Sequence, residues 1–395
     1  MNDGDDGDDR PADSPAGGVE GTEGAGDTEG AGDTEGAGGT EGAGDTEGAA
    51  HRPLSFPRSS YARGPYEPAG SPSGIGVVAP THDDPFVAGG SEAFGGPLGT
   101  HARSGWSWWT PLRVLIAMTL VSCVLGYLQK MPCRDQPWDG GFQYSHTCYN
   151  DIYPLYFGEG LADGKIPYLD GHGPANTEQV EYPVLIGVAM ELGSLATKAL
   201  YTKNKQGQGF VDITWLMLTL AAVITVIATA LTNRRRIWDA AMVAAAPSLI
   251  LAGFINWDLL AVAITALAML AWSRKRVMLS GALLGVAMAT KFYPLFLFVP
   301  LFFLCLRGRQ LRAFYIAVFG AAAAWVVVDV PVWLASPKGF VRFYVFNRDR
   351  DPDWGSLWYA WSQATGHTFA QGRVNIYEAG LIALAMLGIG ALILA

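Results

Sequence analysis

From Trp109 onward apolar residues crowd into long blocks, and before that point no such block exists. The first covers about Trp109 to Leu128, and others follow at about 210–232, 238–255, 257–272, 278–291, 293–306, 311–334 and 375–395. Each block reads as a helix crossing a bilayer, about eight spans in all, because the hydrocarbon layer asks for about 20 apolar residues per crossing. Several blocks fall short of that length, as helices do where a polar cavity reaches into the membrane. The break at Lys291-Phe292-Tyr293-Pro294 is one such place, since proline removes a backbone donor and a lysine beside it is costly against lipid.

Two connections are long, 131–182 and 336–373. Between the first of them and the second block lies Tyr182 to Tyr201, apolar enough to cross yet carrying Glu191 and Lys198. Basic turns settle its reading. If 182–201 crosses, Arg234-Arg235-Arg236 lands outside, whereas if it is only partly embedded, that cluster, Arg274-Lys275-Arg276 and Arg307 to Arg312 all fall inside. The second arrangement is adopted, with both termini of the 105–395 membrane domain cytoplasmic and both long connections outside. Trp106, Trp108 and Trp109 then form an interfacial belt at the start of the first span.

Composition changes the picture mainly at the N-terminus. Residues 1–104 contain near-copies of TEGAGD beginning at Thr22, Thr28, Thr34, Thr40 and Thr46, followed by a Pro/Gly/Ser-rich stretch. With nothing to bury, this tail is expected to be a disordered, acidic, low-complexity cytoplasmic segment. The net charge of −9 belongs to it: residues 1–100 hold 19 of the 36 acids and 4 of the 27 bases, so the remainder is mildly basic. Nothing in this balance points to nucleic acid. The apolar run still in progress at Ala395 suggests that the protein continues further.

Candidate chemistry concentrates in the first long connection. Between Arg134 and Glu181 it carries Asp135, Asp139, Asp151, Glu159, Asp163, Asp170, Glu178 and Glu181 against only Arg134 and Lys165. Cys133 and Cys148 share this connection, and an oxidising compartment favours joining them, which would tie its start to the sequence around Asp151. Cys123 and Cys305, inside apolar blocks, read as small hydrophobes. His146, His172 and His367 are scattered, no His/Cys spacing suits a metal, and no nucleotide-binding glycine loop is present.

The segments CYNDIYPLYFGEGL, PYL, EYPVL, NWDLLAV and GVAMATKFYPLFLFVPL, in that order over roughly 110–395, resemble glycosyltransferase family 87. That family belongs to the GT-C superfamily of polytopic enzymes that use polyprenyl-phosphate sugars, often mannose. The resemblance implies a GT-C-like all-α bundle in the cell membrane with an extracytoplasmic active site and no cofactor beyond the lipid-linked donor. Its partners would be membrane lipids, the polyprenyl-phosphate-linked sugar and a glycan or glycolipid acceptor.

On the same resemblance Asp151 matches the essential carboxylate of the first outer loop, as catalytic base. The residue also stands where an Asp would cap a helix starting at Ile152, so capping remains open. Glu181, before Tyr182-Pro183, either orients the acceptor or braces the loop. Asp258 is a substrate-binding candidate at an outer break between spans, or a helix start with Asn256 as cap. Lys291, with Tyr293 beside it, suits the phosphate of a lipid carrier, the alternative being a side chain that snorkels to the interface. Arg348 and Arg350, together with Arg342, could grip phosphate, while Trp354, Trp358 and Tyr359 fit either stacking on sugar or an interfacial belt. Asp329 receives no role. A transporter of lipid-linked sugar, or a non-catalytic binding protein, would also want membrane carboxylates and a lysine, although no internal repeat of the transporter kind is visible.

Overall fold

The structure is a computed structural model that describes residues 108–136, 140–171, 180–352 and 356–395. The expected tail, together with Trp106, Asp139, His172, Glu178 and Trp354, lies outside the described residues. Within them the chain is helical and contains no strand, and the all-α polytopic membrane class is borne out.

The helices are α1 (Pro111–Lys130), α2 (Phe142–Ser145), α3 (Ile152–Gly158), α4 (Val184–Leu200), α5 (Gln206–Thr232), α6 (Ala241–Ala244) and α7 (Pro247–Ala252). They continue as α8 (Asp258–Ser273), α9 (Val277–Thr290), α10 (Phe298–Arg307), α11 (Leu311–Ala335), α12 (Pro337–Asp349), α13 (Leu357–Thr365) and α14 (Gln371–Leu394). Helices spanning Pro111–Cys133, Lys203–Thr232, Leu311–Ala335 and Gly372–Leu394 are long and apolar enough to cross a membrane, and Asp258–Ser273, Val277–Thr290 and Tyr293–Arg307 are shorter apolar helices.

One expected span is not a continuous helix. Residues 238–255 break into a 3-10 stretch, Arg234–Ala240, and then α6 and α7. Pro247 has no amide hydrogen to donate, and it pushes Ala246 into extended backbone (φ −64°, ψ 127°), so the helical ladder cannot run through. The second long connection also differs from a plain loop, for it is built on α12 and α13.

Close approach between α9 and α11 depends on glycine. A β-carbon at Gly281 would lie 2.1 Å from the Ala317 carbonyl oxygen, and one at Gly285 would lie 2.2 Å from that of Ala321. Only glycine lets the two backbones touch, as in other membrane helix pairs packed through small residues.

The placement of α4 matters most for the site. Along its length it keeps to the elements of the first connection: the Gly187 amide donates to the Tyr168 hydroxyl, and Ser194 Oγ donates to the Leu161 carbonyl at 3.3 Å. Beyond its last turn, the Tyr201 hydroxyl donates to Asp212 at 3.2 Å. Asp212 in turn is paired with Arg134, just past the end of α1, and receives the Tyr127 hydroxyl from α1 at 2.6 Å. Both ends of α4 therefore lie at the end of the α1–α5 pair where α1 finishes. Ile152, Tyr156 and Leu161 of the connection share one buried cluster with Ile186 and Met190 of α4 and with Phe210 and Trp257.

Candidate active site

The site is assembled where the start of α3 meets the break before α8. Cys133 and Cys148 are joined in a disulfide that fastens the connection to the end of α1. Between that bond and α3 the buried Asn150 acts as a peg. Its side-chain oxygen accepts from the Tyr153 amide at 3.1 Å, which is the capping interaction for α3. Asp151 makes no side-chain cap. Capping thus falls to the neighbour, and the Asp151 carboxylate is left for other work. Its own amide donates to the Ile255 carbonyl at 2.8 Å, which fixes its backbone to the α7–α8 turn.

Around the carboxylate stand two tyrosines and several cations. The Tyr182 hydroxyl donates to Asp151 Oδ2 at 3.3 Å, and the Tyr149 hydroxyl is a second hydrogen-bond partner. Burial pushes the Asp151 carboxyl above the ordinary carboxylate range; the Tyr149 and Tyr182 hydrogen bonds and the charges of Lys291 and Arg350 hold it partly back. The same burial, with the carboxylate beside it, pushes the Tyr182 hydroxyl far up, so that it stays protonated and donates. Tyr182 is itself held edge-to-face on the fully buried Trp257 at 5.8 Å between ring centres.

Lys291 follows the last residue of α9 in extended backbone (φ −154°, ψ 142°). Its Nζ lies 2.7 Å from Asp258 Oδ1 and 5.7 Å from the centre of the Tyr182 ring. Tyr182 therefore touches both the expected base and the expected phosphate group. Asp258 is the first residue of α8, its amide donates to Asn256 Oδ1 at 3.0 Å, and its carboxylate meets Lys291, so it serves as helix start and as ion-pair partner at once. Tyr293 adjoins Asp258 electrostatically and is 40 % exposed.

Glu181 is drawn into the same field. Burial raises its carboxyl, opposed by Arg350 and Arg342, while the Asp151 charge adds to the rise. The charge of Arg350 thus reaches Asp151 and Glu181, whereas Arg348 lies exposed against Asp349 at 2.7 Å. The structure brings together Asp151, Glu181, Asp258, Lys291, Tyr293 and Arg350, and does not bring Arg348 to them. Trp358 and Tyr359 are placed on α13, where Trp358 stacks at 5.8 Å on Tyr377 of α14.

Sequence reasoning passed over Tyr149, Tyr182 and Lys130. Lys130, the last residue of α1, is 6 % exposed and lies within the field of Asp151. The tyrosines left one signal, Tyr182 standing directly after Glu181 and Tyr149 two residues before Asp151. Among the described residues no group of three or more His, Cys, Asp or Glu side chains is placed to hold a metal ion.

A carboxylate withdrawn from water, hydrogen-bonded by two phenols and faced by two cations, can take a proton from a hydroxyl while an anionic leaving group departs towards the cations. Residues 208–395 match the model of glycosyltransferase family 87, a family of GT-C-type membrane glycosyltransferases. Asp258, Lys291, Tyr293 and Arg350 fall within the matched residues, and Asp151 and Glu181 precede them. No curated protein and no solved structure matches the chain.

Proposed function

We propose that this chain, whose residues 208–395 match glycosyltransferase family 87, is a membrane glycosyltransferase that moves a hexose, in the first instance mannose, from a polyprenyl phosphate to an extracytoplasmic glycan or glycolipid hydroxyl. The reaction is a single displacement that inverts the anomeric carbon. The acceptor oxygen forms the new bond to that carbon as the bond to the phosphate oxygen breaks, and the acceptor proton passes to Asp151. Polyprenyl phosphate leaves with the electron pair.

Lys291 and Arg350 meet the single negative charge of the phosphodiester donor and the second charge that develops as the sugar departs, and Asp258 keeps the Lys291 ammonium in position until the donor arrives. Tyr149 and Tyr182 orient the Asp151 carboxylate. Its desolvated setting makes it a stronger base than a solvated aspartate, while the surrounding hydrogen bonds and cations keep the ionised form accessible. The reading takes the acidic connection to lie outside the cell membrane, in keeping with the basic turns on the other side.

One observation carries this reading above all: Tyr182 donates to Asp151 while its ring lies under the Lys291 ammonium, so a single side chain bridges the carboxylate and the cation. The test is Asp151→Asn in membranes given labelled polyprenyl-phosphate mannose. Because Asn150 rather than Asp151 caps α3, the variant is expected to fold. Transfer should drop by roughly 10²–10⁴-fold, the usual worth of a positioned base. Undiminished transfer would remove Asp151 from the chemistry, and movement of lipid-linked sugar across the bilayer without transfer would replace an enzyme with a transporter.

A further inference from the structure

Beside the reaction centre a narrow, partly open cleft is lined by Tyr168, Tyr182, Met288, Asp329, Phe343 and Tyr344. Tyr182 is shared with the centre: its hydroxyl serves Asp151 and its ring forms cleft wall. Asp329, on α11, is the one carboxylate among the lining residues, and the transfer scheme leaves it unused. It is only 3 % exposed, and its Oδ2 has no hydrogen-bond partner among the described residues.

Two of the three tyrosine hydroxyls of the cleft are engaged elsewhere. That of Tyr168 donates to the Pro183 carbonyl at 2.6 Å and accepts from the Gly187 amide at 3.1 Å. That of Tyr182 is spent on Asp151. A buried carboxylate oxygen left without a donor in an apolar helix is costly, and such groups are retained where a ligand completes them. A metal cation would require several oxygen ligands, and this cleft offers a single carboxylate among aromatic rings. At its base there is space for one water molecule or one hydroxyl group.

We infer that Asp329 accepts a hydrogen bond from one hydroxyl of the donor hexose, whose ring lies against the aromatic wall, and that it selects the sugar on that hydroxyl. The inference rests on the proposed transfer reaction and adds a specificity residue to it. The donor is favoured over the acceptor because the cleft adjoins the phosphate position. Met288 lies on the last turn of α9, just before Lys291, and the Phe292 ring meets Tyr344 edge-on at 6.3 Å. A buried acceptor of this kind rejects a sugar lacking its hydroxyl, because the carboxylate is then left unpaired.

The experiment uses the full chain in nanodiscs with short-chain polyprenyl phosphates of mannose, glucose and galactose, followed by the monodeoxy analogues of whichever is transferred fastest. Wild type should lose roughly 10²-fold or more in kcat/KM for one deoxy donor. Asp329→Leu should bring that ratio below about tenfold, with Asp329→Asn in between, since the amide still offers an acceptor oxygen. Monodeoxy acceptors should show no change of ranking between wild type and variants. The Leu variant should also melt at a higher temperature, because it removes a lone buried carboxylate.

An identical deoxy-donor profile in wild type and variants overturns the inference while leaving the transfer reaction standing. A changed ranking only among deoxy acceptors overturns the donor assignment. Failure of wild type to transfer any of the three hexoses overturns the transfer reaction, and this inference with it. Should Asp329→Leu not fold, Asp329→Asn decides on the donor profile alone.

Discussion

Replacing Lys291 with methionine separates a structural from a chemical role for the ion pair it forms. The pair is only partly withdrawn from water, the side chains being 30 % (Lys291) and 45 % (Asp258) exposed. A pair of that exposure contributes about 0–1 kcal/mol to folding, even at a nitrogen–oxygen distance of 2.7 Å. Methionine keeps most of the stem's packing, so Tm should move by a few degrees at most. A charged hydrogen bond to a departing phosphate is worth about 1.5–3 kcal/mol, which predicts a fall of roughly 10- to 150-fold in kcat/KM. Arginine at 291 should recover part of it, because charge is restored on a different geometry. The assay is transfer from labelled polyprenyl-phosphate hexose, with thermal melting of the same preparations. Full activity of Lys291→Met would refute the phosphate role. A large drop in Tm, with activity lost in step with the folded fraction, would make the pair structural only.

Further expectations follow from the same geometry. Tyr182→Phe removes a hydrogen bond that holds the Asp151 carboxyl down. The acidic limb of the pH–rate profile, where the base is protonated and activity fails, should therefore move to higher pH, and an unmoved limb would mean that Asp151 is not the titrating base. Arg350→Gln should weaken transfer severalfold while Arg348→Gln leaves it nearly unchanged, since of the two only the charge of Arg350 reaches Asp151 and Glu181; equal losses would contradict that division. Cys133→Ser, or reduction of the disulfide, opens a loop of sequence separation 15 and should cost about 3 kcal/mol of stability, read as a lower Tm with weaker transfer.

The apolar blocks made the long helices legible because a span is a local property of about 20 residues. Block length and apolarity could not show that 238–255 breaks into short helices, which Pro247 imposes from within, or that α4 packs on the first connection, which depends on contacts made from outside the segment. Pro247 was visible, but its effect on Ala246 is a matter of backbone geometry. Arg348 and Arg350 show the same limit on a smaller scale. They look equivalent two residues apart, yet α12 ends at Asp349 and the backbone at Arg350 is extended (φ −72°, ψ 126°), so their side chains part company where the helical period stops.

The acids of the first connection carry the argument further. In sequence they are alike, and residue type alone makes each a solvated carboxylate. In the fold Asp135, Asp163 and Asp170 are exposed, whereas Asp151 and Glu181 are half-buried beside cations. What distinguishes Asp151 is that its neighbours relieve it of ordinary duties: Asn150 takes the cap, the Ile255 carbonyl takes its amide, and Tyr182 spans from its carboxylate to Lys291. Four segments far apart in sequence must meet for that to happen, and the buried Trp257 is the surface on which Tyr182 is set. The protonation state of Asp151, the proposed base, is therefore a property of the assembled fold, and anything that loosens Tyr182 from Trp257 should lower its ionised fraction and disturb Lys291 together.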